Sequence, residues 1–493
     1  MAASNGNEVI DFNPMSVEDF GTRTHEELVY NETDVYLGGD EPIKRIDYLY
    51  QDDKIVEKTI TIPPAIVQIF YEIISNSADA VACGRRRGMK IGWDCEAIKV
   101  TMDQSQITVW NTGIPIPIQK HPKTGQLVPT TVFGSLLSSS HYGEVERSEA
   151  GKNGLGAKTA NILSKEFIVE VADPSSGKHF YQRWSDNMKE VEDPVIKKLG
   201  SKSKPFVKIS YTLDFERFKC QQYPEEAIPL FARICADTSF TSKCRVRFND
   251  SLFDNTHIKD YASLYFKEAI ETSVLHYQLQ EDQRIVQSGK LQWVVDQDGN
   301  KIIPTTEILL LDPTKCQSGK IISFVNSANT PERGVHINKV YEQLLPTITD
   351  QINGKDPLAN KAGSSSDGKT VFKRRLAAQK ARAKRSKKNT RVGRKYTINI
   401  GHVRNHITMI ASFRVKNPKF ASQNKTRLTS PVPQVKFPPK VFKKIFGWGL
   451  MNTLSATLRV MQMTSLASSD GAKVKDVALG KALDAHLAGT NRS

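Results

Sequence analysis

Between Pro64 and Ala82 the apolar residues Ile66, Ile69, Phe70, Ile73 and Ile74 recur at three- and four-residue intervals. That spacing predicts an amphipathic helix, and Pro63-Pro64 suits its start. Alternating apolar and polar positions predict strands at Ile98–Met102 and Ile107–Trp110, with a turn over residues 103–106. Similar patterns predict strands at Phe167–Val171, Phe206–Tyr211 and Cys244–Phe248, and a short helix over residues 131–137. Farther on, strands are expected at Leu291–Val295 and Ile321–Asn326, and helices at residues 335–352 and 402–415. Residues 1–30 are polar and without such a pattern, so they read as an irregular arm. Residues 353–395, rich in Gly, Ser and Lys, read as a long flexible insertion. The mixture of elements is α/β. A first unit closes near Asp260–Phe266 and a second opens near Lys267.

Composition narrows this picture. A chain of 493 residues with 39% hydrophobic content can bury two or three ordinary cores. No apolar run approaches the roughly 18 residues of a membrane helix, and the polar N-terminus lacks a signal peptide's regions, so an intracellular protein is expected. Cys83, Cys95, Cys220, Cys235, Cys244 and Cys316 are scattered without metal or redox spacing, which fits a reducing compartment. The formal charge of +16 is unevenly placed, with twelve Lys or Arg and no Asp or Glu between Lys373 and Lys395. Such a run is either a solvated linker or a contact for a polyanion.

Candidate chemistry lies on the predicted helix. Glu72 and Asn76 share a face at four-residue spacing, where a carboxylate can orient water and an amide oxygen can hold a metal. That pairing suggests nucleotide hydrolysis, although Glu and Asn at this spacing also occur on solvated faces. Asp79 either supports the site through a hydrogen bond or a water or touches the nucleotide itself. The apolar neighbours Ile73, Ile74 and Ala78 imply partial burial, where a carboxylate needs a partner or a function. Gly151-Lys-Asn-Gly-Leu-Gly-Ala-Lys158 approaches a phosphate-binding P-loop, but Ala157 breaks the required Gly-Lys-Thr order. Its glycines either build a simple turn or offer backbone N–H groups to phosphates before a helix opening at Lys158. Asn111, at a strand end, either caps a turn or binds a base.

Taken in order, these motifs resemble the N-terminal region of type IIA DNA topoisomerases of the eukaryotic or large-DNA-virus branch. The resemblance covers nearly the whole chain. It implies a GHKL (Bergerat) ATPase α/β sandwich followed by a ribosomal-S5-like α/β transducer domain. The expected divisions are an arm at 1–30, the ATPase domain at 31–266, the transducer at 267–445 with its insertion at 353–395, and a linker at 446–493. The last segment, around Leu483–Asn491, resembles the stretch that precedes a TOPRIM region, so a fragment without the DNA-cleavage core is expected.

Residues 61–79 resemble the family's first motif, implying Glu72 as general base and Asn76 as the Mg2+ ligand. Trp110-Asn111-Thr-Gly113 resembles the second, placing Asn111 near adenine. The segment Phe133–Tyr142 implies ribose and phosphate contacts from Ser139, Ser140 and His141. The glycine-bearing run implies a lid in which Gly151, Lys152, Asn153, Gly154, Leu155, Gly156, Ala157 and Lys158 surround ATP. Residues 323–327 and 334–337 resemble transducer landmarks. Gln423-Asn-Lys425 stands where the family has Gln-Thr-Lys, implying that Gln423 and Lys425 reach the nucleotide and that Lys425 contacts the γ-phosphate.

Ile114, Pro115, His141 and Asn424 depart from the family pattern. The resemblance further implies an ATP-dependent homodimer that captures double-stranded DNA. Lys373, Arg374, Arg375, Lys384, Arg385, Lys387 and Lys388 would then face that DNA; nuclear import is the rival role for the basic run. The location implied is the nucleus or, for a virus, the host-cell replication compartment. A chaperone-type or mismatch-repair-type GHKL ATPase and a nucleotide-gated DNA clamp that does not hydrolyse are the alternatives.

Overall fold

The computed structural model describes residues 23–92, 94–135, 156–200, 202–278, 283–286, 305–354, 397–422 and 424–469. In chain order the first unit comprises α1 (His25–Asn31), α2 (Thr33–Leu37), β1 (Ile43–Gln51), β2 (Lys54–Ile62), α3 (Pro64–Arg86), β3 (Glu96–Met102), β4 (Ile107–Asn111), α4 (Val128–Gly134) and α5 (Gly156–Ile162). It continues through β5 (Ser164–Asp173), β6 (Lys178–Ser185), β7 (Glu190–Val191), β8 (Val195–Lys198), β9 (Phe206–Leu213), α6 (Ala227–Ser242), β10 (Arg245–Phe248), β11 (Ser251–Phe253) and α7 (Ile258–Phe266). The second comprises β12 (Val274–Gln278), β13 (Gln283–Val286), β14 (Thr306–Leu311), β15 (Ile321–Val325), β16 (Ala328–Asn329), α8 (Val335–Ile352) and α9 (Ile400–Arg404). Then follow β17 (Thr408–Phe413), β18 (Lys419–Phe420), β19 (Leu428–Ser430), α10 (Pro439–Phe446) and α11 (Gly449–Ser469).

Nine strands form the first large sheet in the order β11-β10-β3-β4-β9-β5-β6-β7, with β8 also paired to β6. Its pairs are antiparallel except β10 with β3. Along β4, Ile107, Val109 and Asn111 are buried while Thr108 and Trp110 are partly open. Period-2 alternation therefore turns Asn111 to the face that the helices cover. Helices α3 and α6 pack together there, with Phe70 stacked on Phe231 at 4.3 Å between ring centroids.

The second sheet runs β13-β12-β14-β17-β15-β16, parallel only between β15 and β17. Both its faces are covered. Leu309, Leu311, Ile322, Phe324 and Ile410 join the core of the first unit. Ile308, Leu310, Met409, Ala411 and Phe413 join a second core with Leu344 and Ile348 of α8. Every residue of β14 and β17 is consequently buried.

Three expectations are corrected. The helix expected at 402–415 is the short α9 followed by strand β17, because a strand buried on both faces carries a near-continuous apolar run without period-2 alternation. The arm expected at 1–30 is helical from His25. Thr24 and Glu27 form a reciprocal capping box, which satisfies two of the N–H groups that a helix start leaves open. The linker expected from 446 opens with α11, whose Leu450 and Leu454 belong to the second core. The strand expected at 291–295 and most of the insertion lie outside the described residues.

Candidate functional site

Helix α3 carries the candidate chemistry because its sequence makes one face apolar and leaves polar groups at intervals along it. Glu72 and Asp79 are buried, and Asn76 between them is exposed. Four- and three-residue steps align all three on one side. The buried carboxylate is met from two directions. Gln68, one turn earlier, donates from Nε2 to Glu72 Oε1 at 3.0 Å. Lys425 places Nζ 3.4 Å from the same oxygen. Burial of a carboxylate in this setting is tolerable only with such partners.

Gly156, the first residue of α5, closes the opposite side. A Cβ there would collide with Oε2 and with the stem of Glu72. Only glycine lets this helix start lie against the carboxylate. One turn into α5, Lys158 is buried, and desolvation lowers its pKa to about 8. Thr159 and Asn161 are also buried; Asn161 donates from Nδ2 to the carbonyl of Phe133 at 3.1 Å.

Asn111 is buried at the end of β4, where its Nδ2 donates to the carbonyl of Thr112 at 3.0 Å. The chain then passes so close to α3 that a Cβ on Gly113 would lie 2.5 Å from the carbonyl oxygen of Ala80, and Gly113 has φ of +137°. Here glycine is required by both space and backbone conformation. Ile114 donates its N–H to the same carbonyl at 3.1 Å, so the departure from the family pattern at 114 leaves this attachment in place.

Lys425 sits in the β18–β19 connection at φ of +58°. Non-glycine residues hold that left-handed conformation at a cost, which the hydrogen bonds of the connection offset. These include Lys425 N–H to Ser422 O at 3.2 Å and Glu332 N–H to Thr426 O at 3.1 Å. The structure thus brings Gly156 of α5 and Lys425 of a second-unit loop against Glu72 of α3; Asn76 lies on the same helix, Ala157 and Lys158 follow Gly156 in α5, and Asn111 stands at the end of β4, beyond which the chain meets α3 at Ala80. Ser139, Ser140, His141, Gly151, Lys152, Asn153, Gly154, Leu155 and Gln423 lie outside the described residues, as do Lys373, Arg374, Arg375, Lys384, Arg385, Lys387 and Lys388. Gln68 was missed by sequence reasoning, although its position four residues before Glu72 on the same helix is a usable signal.

The joint between the units lies close by. The carbonyls ending α6 receive guanidinium groups from both sides: Arg414 donates to Thr241 O at 2.7 Å, and Arg85 donates to Ser242 O at 2.7 Å and Lys243 O at 3.0 Å. Positive groups at a helix C-terminus satisfy its open carbonyls and complement its dipole. Lys243, itself buried, pairs with buried Glu307 of β14 at 2.8 Å.

An oxygen-preferring cation needs few protein ligands when phosphates supply the others. The exposed amide of Asn76, one turn from Glu72, fits such a role. Among the described residues no cluster of His, Cys, Asp and Glu forms a metal site by itself, and no helix is long and apolar enough to cross a membrane.

No family model matches the chain. In sequence it is 28% identical to DNA topoisomerase 2 of Acanthamoeba polyphaga mimivirus, over 97% of this chain and 34% of that protein. It is also 28% identical to a probable DNA topoisomerase 2 of Dictyostelium discoideum, over 93% of this chain and 27% of that protein. The chain therefore spans about a third or less of the length of these curated relatives. In structure it matches the ATPase and transducer domains of DNA topoisomerase II from Balamuthia mandrillaris with a TM-score of 0.70 at 24% identity, covering 91% of this chain and 100% of that one. The ATPase region of Saccharomyces cerevisiae topoisomerase II matches with a TM-score of 0.67 at 23% identity, covering 92% and 99%. The expected fold class, an α/β sandwich followed by a second α/β domain, is the fold of this chain.

Proposed function

We infer, from this kinship with type IIA DNA topoisomerases, that the chain is an ATP-binding and ATP-hydrolysing gate, closing as a homodimer to capture a DNA duplex for strand passage. The observation that carries the reading is the meeting of Lys425, from the second unit, with the buried carboxylate of Glu72 in the first. A base beside a cation is the arrangement that γ-phosphate hydrolysis needs.

In this reading Gln68 holds Oε1 of Glu72 while the carboxylate orients and deprotonates the attacking water. The oxygen of that water bonds to the γ-phosphorus, the bond to ADP breaks, and Glu72 takes the proton. Lys425 exchanges the carboxylate for the γ-phosphate and stabilises the charge developing there. Lys158 and the amides opening α5 face phosphate, and Asn111 faces adenine. The lid residues 151–155, Ser139, Ser140, His141 and Gln423 complete the nucleotide contacts in this proposal. Asn76 would hold Mg2+, which when bound neutralises phosphate charge. The basic residues from Lys373 to Lys388 would face the captured duplex.

The test is the ATPase rate of the chain against Glu72→Gln, with oligomeric state followed in a non-hydrolysable ATP analogue. Turnover should fall about 10²–10⁴-fold while analogue binding and analogue-driven dimerisation persist. Equal rates in the two proteins would remove Glu72 from the chemistry, and no turnover in either would favour a clamp that does not hydrolyse.

A further inference from the structure

One end of the nine-stranded sheet, reached from the end of β4 through Thr112, gathers lysines that have no ion-pair partner among the described residues. In the antiparallel β6–β8 pair, Lys178 stands directly opposite Lys198; Lys197 stands opposite His179, whose imidazole lies 3.4 Å from Glu170 Oε2. Like charges directly opposite each other on a sheet destabilise it. The chain beyond β8 adds Lys202 and Lys204. All five lysines are exposed, and among the described residues none takes part in an ion pair.

Three segments are tied together at this end. The turn after β5 receives Leu199 N–H at the carbonyl of Gly177, 2.9 Å away. Thr112 Oγ1 donates to Pro205 O at 3.1 Å, and Ile118 N–H donates to Asp173 Oδ2 at 3.3 Å. The last bond brings in the loop bearing exposed Lys120 and Lys123, which also have no ion pair among the described residues. Asp173 itself is buried and occupied by Ser175 and the Ile118 amide. Glu170 is taken up by Lys208 at 2.8 Å and His179 at 3.4 Å, while Glu190, Glu192 and Asp193 lie towards the other end of the strands.

Lysines on an edge strand can simply prevent edge-to-edge pairing. That accounts for Lys197 and Lys198 on β8 but not for Lys202, Lys204, Lys120 and Lys123, which lie on loops. We propose that this lysine-bearing end is a docking surface for the phosphate backbone of double-stranded nucleic acid, separate from the 353–395 insertion. A regularly charged rod meets several exposed ammonium groups on neighbouring segments at once without a pocket. Such contacts orient the duplex without reading its sequence. The inference does not depend on the nucleotide reading, and these lysines lie outside the proposed catalytic machinery.

The experiment measures binding of a short labelled duplex to the whole chain across a salt series. The variants are K197Q/K198Q/K202Q and, separately, K384Q/R385Q/K387Q/K388Q in the insertion. The plot of log affinity against log salt should become shallower by about 0.9 for each contacting lysine removed, with affinity at least about tenfold weaker at moderate salt. The two sets of losses should add, the ATPase rate of the first variant should stay unchanged, and its melting temperature should not fall, since K198Q relieves the repulsion with Lys178. An unchanged slope and affinity in K197Q/K198Q/K202Q would overturn the proposal. So would displacement of the duplex by polyglutamate at equal charge concentration, which would mark a surface for acidic protein. A Glu72→Gln chain should bind the duplex with the wild-type slope, which separates failure here from failure of the nucleotide reading.

Discussion

Glu72 is held by three residues of different kinds, and each constrains it differently. Gln68 fixes one oxygen, Lys425 shares that oxygen, and Gly156 leaves just enough space for the other. Gly156→Ala is accordingly expected to act opposite to helix propensity. Alanine at a helix start normally stabilises, but here its methyl group displaces the carboxylate. The expected result is a fall in kcat of about tenfold or more with little change in melting temperature, read by steady-state ATPase kinetics and calorimetry. At this scale the sequence was informative where spacing was local: Glu72, Asn76 and Asp79 share a helix face by period alone. Lys425 arrives from 353 positions away, a juxtaposition that no local pattern encodes, so its role came from the family resemblance. Lys243 and Glu307 belong to no motif, and only the folded chain reveals their pairing.

Among the elements, α6 and β12 carry the charged and titratable groups whose loss should be felt most. Lys243→Met leaves Glu307 buried without its closest cation, and the expected cost is about 3 kcal/mol, with part of it recovered in K243M/E307L. Chemical denaturation of the two variants checks this. His276 of β12 is fully buried, neither ring nitrogen has a hydrogen-bond partner among the described residues, and desolvation lowers its pKa to about 4. The unfolded chain, with a histidine near 6.5, therefore binds protons more readily than the folded one. The stability from a neutral His276 is full above about pH 6.5 and is lost as pH falls through about 4, amounting to about 3 kcal/mol below that. His276→Leu should flatten the decline in melting temperature over this interval. Two of the elements that sequence reasoning missed share a physical cause. Helix α6 is buried on nearly every side, and β14 is buried throughout, so their polar residues, such as Asp237 and Glu307, mark no solvent face and no period. The capping box at Thr24 and Glu27 was legible but short.

For the whole molecule, the second sheet matters most because its two faces serve two cores. Leu309 and Phe324 belong to one and Leu310 and Met409 to the other, so neither unit can lose its packing without exposing the other's. Calorimetry of the chain is expected to show a single main unfolding transition; two well-separated transitions would contradict a shared core. The same feature limits how the halves can move. Two bodies joined by a slack tether swing freely, whereas bodies sharing an interior can shift only in small steps that keep the faces engaged. On the proposed reading, withdrawal of Lys425 from Glu72 is then a sliding of a few ångströms, not an opening. A chain built this way works as a stiff lever, in which a change the size of one phosphate is carried to its far end with little lost to slack.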